Sequence, residues 1–573
     1  MSEKIISPGV FQNESDQSLV ARGIQGTATA VVGPTVLGHP FVPTYVTSYS
    51  EFQSKYGTTF KSGSYYYEYL TSIAAREFFQ NGGQTLLVTR VISGSANVSN
   101  YAAASVGAYS LTGSSFTIET LSWGDQMNNT SSMSAGALAS GSALNVRWEV
   151  TTVNTGSGTF TLAVRRGDDN LAQPNYIETW PNLSLDPGQS NYIARVIGDV
   201  KPVYTVDSDG NPYIDYRGSY TNASQFIRVA SVITPQVDSV DNNGNYKAAI
   251  YSGSLPAVGS GSYGGSFAGG YAATNRQALM NENITAANME GYAVADYNTA
   301  LNLLTNKDEY QFNVLLAPAV GLDSAASTTV ISTVEARGDA FAPISAGVYG
   351  TTITAATNTA AGQSSNYGAC YYPWIQLYNS NLGMNVWAPS VTVMGGVLAF
   401  NDQVGAEWFA PAGLNRGGVP SVLRAERKLS QADRDTLYSA NVNPLATFPG
   451  EGVVVFGQKT LQRRQTSLDR VNVRRLLIAL KGFIGQVGNN LVFEQNTNAT
   501  RNRFLAQVNP YMESVVQRQG LYAYKVVMDD TNNTPDVIDR NQLVGQIYIQ
   551  PTKTAEFIIL NFNVLPTGAT FPA

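Results

Sequence analysis

Few residues in this 573-residue chain could do covalent chemistry. There is one histidine, His39 in "LGHPF", and one cysteine, Cys370 in "GACYYPWIQLY". A Ser-His-Asp or Cys-His arrangement would have to use them, because a weak nucleophile needs a base beside it. Cys370 sits in an aromatic, strand-like run, and free cysteine is among the most buried residue types. The expectation is a buried structural thiol, a loop histidine and no catalytic residue. A single cysteine also permits no intrachain disulfide. Other stretches imitate ligand loops. "GSGSYG" (259–264) spells G-x-G-x-x-G. It lies in a Ser/Gly tract without the strand before and helix after that a dinucleotide site needs. "GVVVFGQKT" (452–460) approaches a phosphate loop, with Gln458 inserted. Val453, Val454, Val455 and Phe456 are strand formers that resist curling around phosphate. "DSDGNPYID" (207–215) spaces Asp207, Asp209, Asn211 and Asp215 like part of a calcium loop, without its closing bidentate Glu. A hairpin turn explains the same residues. No enzyme activity, cofactor or metal is expected.

One charge signal survives. Between Lys459 and Gly485 lie Lys459, Arg463, Arg464, Arg470, Arg474, Arg475 and Lys481, against Asp469 alone. Such a run is either a solvated helix face or a dock for an acidic partner, including an acidic copy of itself. The net charge of −6 argues against nucleic acid as a partner. Charged residues make up 13% of the chain, about half the usual fraction. A surface so poor in charge suits a protein that buries itself against copies or partners. No apolar run reaches the roughly 18 residues a membrane span needs, and the N-terminus lacks the pattern of a signal peptide. Synthesis and folding in a cytoplasm, without membrane insertion, are expected.

The elements that must position these residues fall into blocks. "KIISPGVFQNESD" (4–16) carries Ile5, Ile6, Val10 and Phe11 around Pro8-Gly9. Proline is tolerated in a sheet only at an edge or a strand start, so 1–22 reads as an extended arm. α/β texture follows from 23 to 92. "TATAVVGP", "PFVPTYVTS" and "QTLLVTRVI" read as strands. "SYSEFQSKYG" reads as a helix capped by Ser48, with Glu51 three residues on, and "SYYYEYLTSIAAREFFQNGG" as a longer helix. From 93 to 289 the pattern is β-rich, with Asp-Gly and Asn-Gly turns and a flexible low-complexity tract at 253–270. α/β texture resumes over 290–440. A last unit, 441–555, holds a helical stripe in "DRVNVRRLLIALKGFIGQV" and a second helix broken early by Pro510. The chain closes on a strand-like arm, 556–573, with Ile558, Leu560, Phe562 and Val564 on one face beside Phe557. The fold class is multidomain α+β, an α/β body interrupted by a β-rich insertion, with extended arms at both ends.

Several stretches, in order along most of the chain, resemble the tail sheath proteins of contractile bacteriophages of the myovirus type. They are "SPGVF", "VVGPTVLGHPFVPTYVTSYSEFQSKYG", "YIETWPNLSLDPGQSNYIARVIGD", "GACYYPWIQLYNSNLGMNVWAPSVTVMGGVLAFNDQVGAEWFAPAGLNRG", "NVNPLATFPGEGVVVFGQKTL", "VNVRRLLIALKGFI" and "PTKTAEFIILNF". The match is weakest over 93–170 and 200–270. One departure is "AFNDQVG", where a basic residue is expected near Phe400. The resemblance implies a subunit that stacks in rings, expected to be hexameric, around an inner tail tube. The cylinder contracts from a metastable extended state to drive the tube through a host envelope. Implied partners are other copies of the chain, the tail tube protein, and baseplate and tail terminator proteins. The implied location is the virion tail, after assembly in the host cytoplasm. It further implies that both arms add strands to a neighbour's C-terminal sheet, with Gly23 and Gly26 as hinges for the first. Arg470, Arg474, Arg475 and Lys481 become candidates for facing the tube. The competing readings are a β-rich virion surface or receptor-binding protein, the sheath of a phage-derived injection device, and an enzyme using the glycine-rich segment.

Overall fold

A computed structural model describes residues 28–556 apart from 63–64, 93–100, 108–113, 124–132, 135, 139–140, 234–239, 241–242, 244, 246–253 and 270–279. Its spine is two four-stranded sheets joined edge to edge. The first runs Thr44–Val46, Leu86–Arg90, Thr29–Gly33, Val314–Leu316. The second runs Ala342–Ser345, Gly368–Tyr372, Val442–Phe448, Gly452–Val455. A parallel bridge between Val314 and Phe341 connects them, with Leu315 N donating to Phe341 O at 2.9 Å. The inner strands are parallel and only the outermost strand at each end is antiparallel. Parallel sheets need cover on both faces, and strands Thr29–Gly33 and Leu86–Arg90 are buried along their whole length. Helices supply that cover. Leu70–Gln80 packs against Val391–Val404, where a Cβ on Gly396 would come within 2.7 Å of Glu77 O. Glycine is what lets these two backbones approach.

Residues 29–33, 86–90 and 314–316 thus share one sheet although some 220 residues separate the last two in sequence. The intervening β-rich stretch has its own core. The three-stranded sheet Val146–Asn154, Thr159–Arg166, Tyr176–Ser184 faces Ser114–Trp123 and Ile227–Val232 across Phe116, Trp148, Phe160, Leu162 and Ile227. Phe116 and Phe160 stack at 5.4 Å. Arg147 and Arg165, both buried, share the carboxylate of Asp169 at 2.7 Å each. That pairing meets the requirement that a charge removed from water find a partner.

Several sequence expectations are corrected. "SYYYEY" is not helical. Tyr65–Glu68 is a strand paired with Thr59–Ser62, and the helix begins at Leu70. Consecutive tyrosines favour the extended state, and the helical signal started after them. Pro510 does not break its helix, which runs unbroken over Asn498–Gln517. The low-complexity tract is not a loose linker where it is described. Gly265 O accepts from Trp148 N at 2.9 Å and Ser260 O from Val150 N at 2.8 Å. The expected start of the last unit, 441, falls just before Val442–Phe448, a strand that pairs with Gly368–Tyr372 in the body sheet. Ser48 caps Tyr49–Tyr56 as expected, accepting from Glu51 N, but Glu51 reaches back to Thr47 N rather than to the cap.

Candidate assembly interface

The imitated ligand loops resolve into structure. Gly452–Val455 is a strand. "DSDGN" turns the hairpin between Lys201–Val206 and Pro212–Arg217, with Asp207 Oδ1 accepting from Asp209 N and Asn211 N. Gly259 and Gly261 are in left-handed conformations, and a Cβ on Gly261 would meet Trp148 O at 2.4 Å. Cys370 is fully buried on its strand, and burial pushes its thiol up. The His39 imidazole is pushed down to about 4, first by burial and then by Arg90 and Arg228. Among the described residues no group of His, Cys, Asp and Glu could hold a metal ion.

The basic cluster divides: Arg474 and Arg475 are buried, Lys459 and Arg470 half-buried, and Arg463, Arg464 and Lys481 exposed. Arg474 and Arg475 lie on the buried side of the Val471–Asn489 helix, each 3% exposed. Arg475 forks onto Asp402, with NH1 to Oδ1 at 2.8 Å and NH2 to Oδ2 at 2.5 Å. Burial lowers its pKa, but Asp402 outweighs that and the guanidinium is held further toward its charged form. Arg474 lies over the Tyr367 ring, 4.1 Å from its centroid. Arg470 sits at the start of the same helix and forks onto Glu556, Nε to Oε1 at 2.6 Å and NH2 to Oε2 at 3.0 Å. Of the four residues expected to face a tube, Lys481 alone is exposed. A monomer surface for docking therefore cannot be built from Arg474 and Arg475. The apolar stripe of the helix had to face the body, and both arginines lie on the same side as that stripe. The departure noted near Phe400 finds a use here, since Asp402 is the acid that Arg475 needs.

Glu556 was missed as a site residue. Besides Arg470 it accepts from Tyr438 OH at 2.9 Å and Gln458 Nε2 at 3.1 Å, and Gln458 also donates to Thr554 Oγ1. Burial raises its pKa, but the hydrogen bonds from Arg470, Tyr438 and Gln458 together hold the carboxyl below its ordinary value. Only the odd Gln458 in the near-phosphate-loop could have hinted at this. The clasp fixes the point from which the C-terminal segment departs. The arm residues themselves, Ile5, Ile6, Pro8, Val10 and Phe11 at one end and Phe557, Ile558, Leu560, Phe562 and Val564 at the other, lie outside the described residues, as do the hinge glycines Gly23 and Gly26.

Just before the clasp lies a small antiparallel sheet, Leu521–Val527 with Gln546–Pro551. The Asn498–Gln517 helix covers part of it, and Tyr522 and Tyr548 remain 67% and 56% exposed. A two-stranded sheet is marginal by itself and offers edges to further strands.

Residues 290–461 match the phage tail sheath protein central domain, and residues 464–565 match the phage tail sheath C-terminal domain. The tail sheath protein of Vibrio phage KVP40 is 39% identical over 194 residues, 34% of this chain and 29% of that protein. The tail sheath protein of Enterobacteria phage T4 is 39% identical over 208 residues, 36% of this chain and 32% of that protein. The matched stretch thus spans about a third of the length of these curated relatives. The crystal structure of a sheath tail protein from Listeria innocua superposes with a TM-score of 0.50 at 11% identity, covering 92% of this chain and 96% of that one. It shares the mixed α+β fold. Residues 290–461 and 464–565, together just under half of the chain, thus carry the central and C-terminal domains of phage tail sheath proteins.

Proposed function

We propose that this chain is the structural subunit of a contractile tail sheath. It polymerises with copies of itself as stacked rings around an inner tube, and shortens from a metastable extended state to drive the tube through a host envelope. The observation that carries this reading is the two-stranded sheet Leu521–Val527/Gln546–Pro551 inside the matched C-terminal domain. Its strands have room for more, and the chain has an apolar, strand-like segment at each end to give. Strand addition by main-chain hydrogen bonds would link subunits while leaving their bodies free to turn as rigid units. A head-to-tail contact that does not close on itself generates a helical filament rather than a ring dimer.

On this reading the body is the shared sheet with its helices, roughly 28–92 plus 290–455. The β-rich stretch 93–289 is an outer decoration, and the unit after 464 carries the linkage. Partners are other copies, the tail tube protein, and baseplate and terminator proteins, and the location is the virion tail after assembly in the host cytoplasm. Tube contact falls to exposed cations such as Lys481, Arg463 and Arg464 rather than to the buried arginines. The role is mechanical and asks no residue to do covalent chemistry.

The test is removal of residues 1–16 from the purified chain. The expected product is a folded monomer by sedimentation and circular dichroism that forms no tubes. Normal tubes from the shortened chain would contradict the linkage.

A further inference from the structure

Glu556 lies on the wall between two unlike cavities. One, of about 970 Å³, is polar and cationic, lined by Lys459, Arg463, Arg470, Asn472 and Lys553. The other, of about 380 Å³, is more apolar, lined by Ala410, Ala412, Pro444 and Phe456, with Arg434 and Asp435 also on its wall. Phe456 is 43% exposed there, held against Phe448 at 4.8 Å with Arg434 beside both rings. A half-exposed aromatic at the end of a core strand is apolar surface that water covers at a cost. The four hydrogen bonds on Glu556 pin it at the rim of this groove.

What covers the groove follows from covalent geometry and partition. The residue after Glu556 is Phe557, one Cα step or about 3.8 Å away, and Ile558, Ile559 and Leu560 follow. A segment of that composition leaving the clasp meets a cationic cleft on one side and an apolar groove on the other. Transfer free energy favours the groove. We propose that in the unassembled subunit Phe557 and Ile558 seat in the groove of their own chain, against Phe456 and Ala412. Leaving that seat is then the step that releases the C-terminal segment to a neighbour. The release half rests on the sheath reading above; the seat itself does not. Self-capping of this kind hides an aggregation-prone strand until a second copy competes for it. The clasp stays closed throughout, so only residues beyond 556 exchange.

The test places a photoreactive benzoylphenylalanine at Phe557 in the full chain, with isotopically heavy and light subunits mixed at low concentration before irradiation. The expected adducts join position 557 to residues 410–413, 444 or 456, always within one isotope. Adducts between heavy and light chains would make a second copy the occupant, and adducts elsewhere, or none, would remove the seat; each overturns the proposal. A second readout is the lag before assembly. Phe456→Ser, and separately Ala412→Asp, should shorten it by about tenfold, the loss of one buried aromatic contact. An unchanged or longer lag in both variants would overturn the capping role. If the unmodified chain never assembles, the sheath reading fails while the adduct map still decides the seat.

Discussion

Arg475 and Lys481 lie six positions apart on one helix and do opposite things. Arg475 is buried against Asp402, while Lys481 stands in water. Removing one partner of a buried pair leaves the other unsatisfied, so Arg475→Ala should cost about 3 kcal/mol in denaturant unfolding. Lys481→Glu should stay within about 0.5 kcal/mol. Equal effects would place both on the same kind of surface. Glu556 gives a pH signature. Its carboxyl is depressed by the net effect of Arg470, Tyr438 and Gln458 over burial. Such a group contributes stability above the ordinary carboxyl range, and that contribution is lost as pH falls through the lowered pKa. Hydrogen exchange of residues 552–556, corrected for intrinsic rates, should therefore be flat from neutral pH down to about 4 and rise below it. Glu556→Gln should show faster exchange at neutral pH and no such rise. At this scale little was legible beforehand. The run of cations was visible, but Asp402, Tyr367 and Glu556, which occupy three of them, are up to about a hundred residues away in the chain.

Among elements, those with strong local signals were legible. Ser48 before Tyr49–Tyr56, and Gly338 in the left-handed conformation after Ala326–Arg337, bound their helices as their caps require. The run "TFTLAVRRG" alternates polar and apolar residues and forms Thr159–Arg166, although Ala163 and Arg165 on its second face are buried as well. Local signals failed where tertiary contact decides. The Asn498–Gln517 helix continues through Pro510, with Val508, Met512 and Val515 on either side of it buried in one core. Gly261 and Gly265 look like linker residues, yet each lies within 2.4 Å of Trp148 O by the Cβ it lacks. Gly261→Ala, at a φ of +80°, should destabilise the inserted sheet by about 1–3 kcal/mol. Hydrogen exchange should show lost protection along Val146–Asn154 with Leu86–Arg90 unchanged. Unchanged protection at Val146–Asn154 would mean the tract does float.

For the whole molecule, the return of α/β texture near residue 290 was readable because both halves of the body sheet are buried on two faces and write the same apolar runs. Their edge-to-edge union through Val314 and Phe341 was not, since register between distant parallel strands leaves no local trace. The family match over 290–565 supplies the scale at which the chain is proposed to work, that of many copies. The central claim is that copies link head to tail through donated strands. The measurement that tests it most directly is electron microscopy of the purified full chain at rising concentration. The account predicts long hollow helical tubes, whose reconstruction shows the sheet Leu521–Val527/Gln546–Pro551 widened by strands from other subunits. A persistent monomer or closed small oligomer at high concentration, or tubes in which that sheet keeps only its own two strands, would contradict it.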